Sequence, residues 1–133
     1  MSAQPLTIAT STSQAGPEPN PPIPVQVFVN DGVVTVDHDP VPVRWAYNGT
    51  IAWAILPTHG SFDIERGGVV FYPNAPFTRV ALTDTLCVYR VLNDNLQTVG
   101  SFAYSIFVDT TNGKLVTYDP TVENESPPLN ITQ

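Results

Sequence analysis

The chain has a single cysteine among its 133 residues, Cys87, so no disulfide can form within it. Charge is also scarce. Asp, Glu, Lys and Arg make up 13% of the residues, too few for a coiled coil. Basic residues are the scarcest of all: Arg44, Arg66, Arg79, Arg90 and Lys114 stand one at a time against twelve acidic residues, for a net charge of −7. Surfaces that bind nucleic acid or anionic membrane need clustered Lys and Arg to release counterions, so neither partner is expected. No apolar run approaches the roughly 18 residues of a membrane span. Residues 1–12 lack the basic start and long apolar stretch of a secretory signal. The cytoplasm is the expected location, and it suits a lone thiol.

What is present is apolar residue in short runs. Hydrophobic residues are 42% of the chain, too many for a disordered one. Runs rich in Val, Ile, Phe, Tyr and Thr alternate with turn residues, which predicts strands near 25–30, 33–38, 50–56, 61–65, 69–73, 77–83, 86–92, 100–109 and 115–119. No segment has a 3.6-residue apolar period, so at most one helical turn is expected. Six of the fourteen prolines fall in residues 1–24 (Pro5, Pro17, Pro19, Pro21, Pro22 and Pro24). Proline fixes φ and lacks an amide donor, so this stretch reads as an extended arm. The division expected is an arm over 1–24, a β-sandwich domain over 25–126 and a tail over 127–133.

Two hairpins can be placed in register from their turns. Asp31-Gly32 tolerates the positive φ of a type I′ turn, which pairs Val29 with Val34, Val27 with Val36 and Val25 with His38. One face is then all valine except His38, which reads as a partly buried ring beside Val25. The second hairpin pairs poorly around a two-residue Asn112-Gly113 turn. A three-residue loop, Thr111-Asn112-Gly113, with Gly113 left-handed, pairs Val108 with Val116 and Ile106 with Tyr118. Between the hairpins, Ile51, Trp53 and Ile55 alternate with Ala52 and Ala54. The small second face marks a central strand. A Trp on a central strand is similar to immunoglobulin-like sandwiches, although their inter-sheet cysteine pair is missing.

Both hairpins end in Asp-Pro, as Asp39-Pro40 and Asp119-Pro120. Proline cannot donate to a ladder and the Asp carboxylate can accept nearby amides, so the dipeptide ends strands. Asp119 with Pro120 is expected to cap a helical turn over Thr121 to Glu125, its carboxylate accepting the amide of Thr121 or Val122. Asp39-Pro40 after a short strand, with Asp119-Pro120-x-x-Glu123-Asn124 near the C-terminus, resembles the signature of the small bacterial DP-EP family. More distantly it resembles bacterial crystalline inclusion-body proteins. The resemblance spans roughly residues 25–126 and implies a small β-sandwich of unassigned activity.

Other chemistry-bearing residues are sparse. Asp37-His38-Asp39 has metal-ligand types, but strand alternation sends His38 away from the two carboxylates. Asp39, Asp119, Glu123 and Glu125 would suit Ca²⁺ only if the fold gathers them. His59 lies in a turn and reads as an exposed loop histidine. A triad of His59, Ser61 and Asp63 is the weakest reading, because side chains two apart on a short loop rarely take that geometry. Cys87 alternates within a strand as a packing residue.

The expectation is an all-β, immunoglobulin-like antiparallel β-sandwich with a Pro-rich N-terminal arm and no cofactor or metal. The leading function is a non-catalytic self-association or binding module, with the chain itself as partner through the arm. The alternative is a carbohydrate- or Ca²⁺-dependent ligand-binding domain using the acidic Asp-Pro loops.

Overall fold

The computed structural model describes residues 20–91 and 99–126. Most of the arm and the whole C-terminal tail lie outside them. Eleven strands follow one another: β1 (Ile23–Asn30), β2 (Val33–Val36), β3 (Val41–Val43), β4 (Thr50–Ile55), β5 (Gly60–Phe62), β6 (Val69–Phe71), β7 (Phe77–Leu82), β8 (Leu86–Val91), β9 (Gly100–Thr110), β10 (Leu115–Tyr118) and β11 (Thr121–Asn124). They build a five-stranded sheet, β2-β1-β4-β8-β7, and a six-stranded one ordered β10-β9-β11-β3, with β5 and β6 also paired to β9.

Both hairpins have the expected register. Val29 faces Val34 and Val27 faces Val36, around a turn in which Asp31 and Gly32 have φ of 54° and 76°. Val108 faces Val116 and Ile106 faces Tyr118, and Gly113 has φ of 85°. β4 is the centre of its sheet, between β1 and β8.

Four expectations need correction. The sheets are mixed, not antiparallel: β1 runs parallel to β4 and β3 parallel to β11. Extended chain need not turn back on itself, and long connections deliver these strands from the same end. β1 begins at Ile23, inside the span read as arm, because Ile23 and Pro24 pair with Ile51 and Ala52. β2 stops at Val36, so His38 never pairs with Val25 and is exposed. Finally, Thr121 to Asn124 is strand, not a helical turn. Its amides have a long neighbour to pair with in β9, which outweighs a local cap.

That neighbour makes β10 and β11 one continuous partner. Leu115 faces Asp109, Tyr118 faces Ile106, Thr121 faces Ala103 and Asn124 faces Gly100, all in a single antiparallel register. The strand is interrupted only at Asp119-Pro120, where proline has no N–H to give. The carbonyl of Pro120 keeps the register by accepting the Tyr104 amide at 3.0 Å.

The core lies between the sheets. Val25, Val27, Ile51, Trp53, Ile55, Cys87, Tyr89 and Val91 come from one side, and Val41, Val43, Phe62, Val69, Tyr104, Ile106, Val108 and Val122 from the other. Two buried polar contacts cross it. Trp53 Nε1–H donates to Tyr104 Oη at 3.0 Å, and Tyr89 Oη–H donates to the carbonyl of Val69 at 2.5 Å.

Gly113 has open space where a Cβ would be, so only its left-handed backbone opposes a side chain. Gly113→Ala is expected to cost about 1 kcal/mol in a urea melt. A neutral result would mean that the loop relaxes into another turn.

Candidate functional site

The two Asp-Pro dipeptides meet in space. Because β3 and β11 are parallel neighbours, with Val41 facing Val122 and Val43 facing Asn124, Asp39-Pro40 arrives beside Asp119-Pro120. Asp39 takes hydrogen bonds from the residues on both sides of that dipeptide. Its Oδ2 accepts Tyr118 Oη–H at 2.8 Å and its Oδ1 accepts the Thr121 amide at 3.1 Å. The Tyr118 hydroxyl is pushed up in pKa, chiefly by this bond to a carboxylate. Asp119 does not cap the following amides. It faces Ser105 across the register and accepts its hydroxyl at 2.8 Å. The capping role expected of Asp119 therefore belongs to Asp39, from the link between β2 and β3, 80 residues earlier in the chain.

This geometry separates the acidic residues. Neighbours on extended chain point to opposite faces, and Asp39 goes with Tyr118 while Asp119 goes with Ser105. Glu123 and Glu125 are exposed on β11 and just beyond it; the Glu125 amide is bonded to the Val43 carbonyl at 2.8 Å. Among the described residues no three His, Cys, Asp or Glu side chains gather where they could hold a metal ion, so Asp39, Asp119, Glu123 and Glu125 do not form the Ca²⁺ site considered for them. Of the other motif residues, Pro40 is exposed, while Pro120 and Asn124 are buried. Asp37 and His38 do touch, with His38 Nδ1 2.9 Å from Asp37 Oδ1, because strand alternation ends at Val36.

His59 is half-buried rather than exposed. Its Nδ1 lies 2.8 Å from the Val29 amide and 2.9 Å from the Val29 carbonyl, which docks the β4–β5 turn on β1. A triad would need that nitrogen for a carboxylate. Asp63 is engaged elsewhere, taking the Arg66 amide on Oδ1 and the Arg66 guanidinium on Oδ2, each at 3.0 Å. Cys87 is fully buried, and burial pushes its thiol up to about 11.

Two features were invisible as motifs. The first is a carboxyl pair. Ser61 faces Asp109, and the Asp63 amide bonds the Phe107 carbonyl, so Asp63 and Asp109 are diagonal neighbours on one face. Asp109 is raised in pKa, first by burial and then by the Asp63 charge; Asp63 is lowered, first by the Arg66 amide. The second is a cavity of about 320 Å³ at one end of the sandwich, where the β1–β2, β4–β5 and β9–β10 turns converge. Only the pairing of β1 with β4 and of β5 with β9 brings these turns together.

Among the described residues, nothing pairs with the outer edge of β7, and several apolar side chains are exposed near it and β6. β7 is the last strand of its sheet, and of its residues only Phe77 is buried. Val80, the residue at its bulge, is 56% exposed, and Tyr72 after β6 is 60% exposed. Val70 and Ile64 are exposed near them, around Gly67, whose carbonyl accepts Arg79 Nη1–H at 3.1 Å. No helix among the described residues is long and apolar enough to cross a membrane.

No protein-family model matches the chain, and no curated protein matches it at a significant level.

The Asp-Pro geometry separates two substitutions. Asp39→Ala should cost about 1–2 kcal/mol in a denaturant melt, since it strips partners from Tyr118 and Thr121. Asp119→Ala should stay within about 0.5 kcal/mol, since its one partner is an exposed hydroxyl. The reverse order would return the capping role to Asp119.

The carboxyl pair sets a pH dependence. An acid raised in the folded state binds its proton more tightly there, so the stability it contributes is present in acid and lost as pH rises through its folded pKa. Asp109→Asn should therefore raise the melting temperature at neutral pH and leave it unchanged near pH 3, below the ordinary carboxylate range of about 4. Asp63 has the opposite sign. Its contribution is present at neutral pH and lost as pH falls through its lowered value, so Arg66→Ala should move acid unfolding to higher pH.

Proposed function

We propose that this chain is a cytoplasmic, non-catalytic self-association module with an immunoglobulin-like sandwich, and that its copies join when the arm of one adds to the β7 edge of another; the DP-EP resemblance supports the small β-sandwich and implies no activity. The observation that carries the reading is that open edge. Sheet edges offer unpaired amides and carbonyls, and proteins blunt them with charge, proline or a covering segment. β7 has one charged residue, Arg79, and no proline, and it presents Val80 to solvent.

The arm supplies the complement. Leu6-Thr7-Ile8-Ala9-Thr10 has strand-forming composition. Its root is pinned: the Asn20 amide bonds the Asn48 carbonyl at 2.5 Å, the Asn48 amide bonds Asn20 Oδ1 at 2.7 Å, and Tyr47 Oη–H reaches the Pro21 carbonyl at 2.5 Å. A Cβ on Gly49 would lie 2.5 Å from Tyr47 Oη and 2.9 Å from the Asn20 carbonyl, so glycine is what lets these groups close over one another. From that root, nineteen residues span at most about 65 Å. Pro17 and Pro19, just before that root, favour extended chain and resist the reversal needed to reach the chain's own β7, three strands from β1. A second copy is the readier acceptor. The free thiol of Cys87 fits a reducing compartment.

Deleting residues 1–19, which leaves Asn20 and its bonds in place, should convert an oligomer to a monomer by light scattering. Val80→Lys in the full chain should do the same with an unchanged melting temperature. A monomeric full-length protein, or a truncated one that keeps its particle mass, would overturn the reading.

A further inference from the structure

The cavity at the convergence of three turns is independent of the β7 edge and of the arm. We infer that it is a binding site for a neutral, polyhydroxylated ligand of one sugar ring. At about 320 Å³ it sits at the lower end of the roughly 300–1,000 Å³ of small-molecule sites, which is room for a ring and not for a chain.

The chemistry of the lining selects the ligand class. The β1–β2 turn contributes Asp31, and the β9–β10 turn contributes Lys114. One carboxylate and one ammonium cancel, so neither an anion nor a cation is favoured by charge. The remaining polar groups are the hydroxyls of Thr58 and Thr111, the side-chain amide of Asn112 and the ring of His59, the Thr110 hydroxyl being engaged within its own loop. Hydroxyls and amides both donate and accept, and every hydroxyl of a sugar does the same. The wall is rather more polar than apolar, and its apolar part includes Val29 and the imidazole face, which Phe28 meets edge-on with centroids 6.0 Å apart. That part can lie under the C–H face of a ring while the polar groups take its hydroxyls. No set of three metal-ligating side chains occurs here or elsewhere among the described residues.

The site is also held in shape before any ligand arrives. Val29 engages His59 Nδ1, which leaves Nε2 as the ring nitrogen for a ligand. Thr110 Oγ1 bonds Asn112 Oδ1 and accepts the Lys114 amide at 3.1 Å, so the β9–β10 loop is braced by its own side chains. Asp31 and Gly32 are set by the type I′ turn. Groups fixed in this way lose little freedom on binding, which is where much of the cost of holding a small ligand falls.

The test is a titration of the full chain, labelled with ¹⁵N, with glucose, galactose, mannose and N-acetylglucosamine, and in parallel with inorganic phosphate and with calcium chloride. At least one sugar should shift the amides of Gly32, His59, Asn112 and Lys114 together, saturating in the millimolar range. Phosphate and calcium should leave them in place. Thr58→Val and Lys114→Gln, both on exposed turns and each close to isosteric, should each weaken that sugar about tenfold with an unchanged melting temperature. The inference is overturned if no sugar moves these amides, if phosphate or calcium moves them instead, or if both variants bind the sugar as the parent chain does.

Discussion

The indole nitrogen of Trp53 and the hydroxyl of Tyr104 are sealed between the two sheets, and neither can reach water. A buried polar group left without a partner costs about 1–3 kcal/mol, so each must find the other. Trp53 stands on the central strand of the first sheet and Tyr104 on β9, to which β5, β6, β10 and β11 all pair in the second. A slip of one residue in either strand would turn one of these side chains outward and orphan the other. The bond therefore fixes how the sheets face each other. Tyr89 and Phe71 pack edge-on around Trp53, with centroids 5.8 and 6.0 Å away. Burial raises the pKa of the Tyr104 hydroxyl, so it stays neutral in the core while its oxygen accepts the indole N–H.

Away from that anchor the ladders end early, and side chains take over where main-chain pairing stops. Asp39 takes the Thr121 amide and the Tyr118 hydroxyl beside Pro120, just before β3 begins. His59 serves Val29 where β1 runs past β4. Asp37 accepts the Gln26 amide as the first hairpin splays, and Thr83 Oγ1 accepts the amide of Leu86 at the head of β8. The residue types that suggest chemistry in the sequence are largely spent in this way. Among the described residues, two open surfaces stand out: the side at β6 and β7 with its exposed apolar side chains, and the polar cavity where three turns meet. The first suits another strand. The second suits a small hydroxylated ligand.

The sequence by itself determined most of the local structure. Asp31-Gly32 and Thr111-Asn112-Gly113 specified both hairpin registers, because the positive φ of a turn and the valine face beside it admit one pairing each. Alternation of Ile51, Trp53 and Ile55 with alanines marked the central strand, because small outer residues and large inner ones fit only between two neighbours. Tertiary structure decided the rest. Val41 to Val43 and Thr121 to Asn124 are too short to declare themselves; they are strands because they pair with each other, and Thr121 to Asn124 with β9 as well. The role of Asp39 depends on a parallel pairing between segments 80 residues apart, which no local signal encodes. The end cavity exists only because β1, β4, β5 and β9 bring three separate turns to one place. Local rules act over a few residues, whereas a shared backbone edge or a cavity is a property of distant segments, and only packing brings those together.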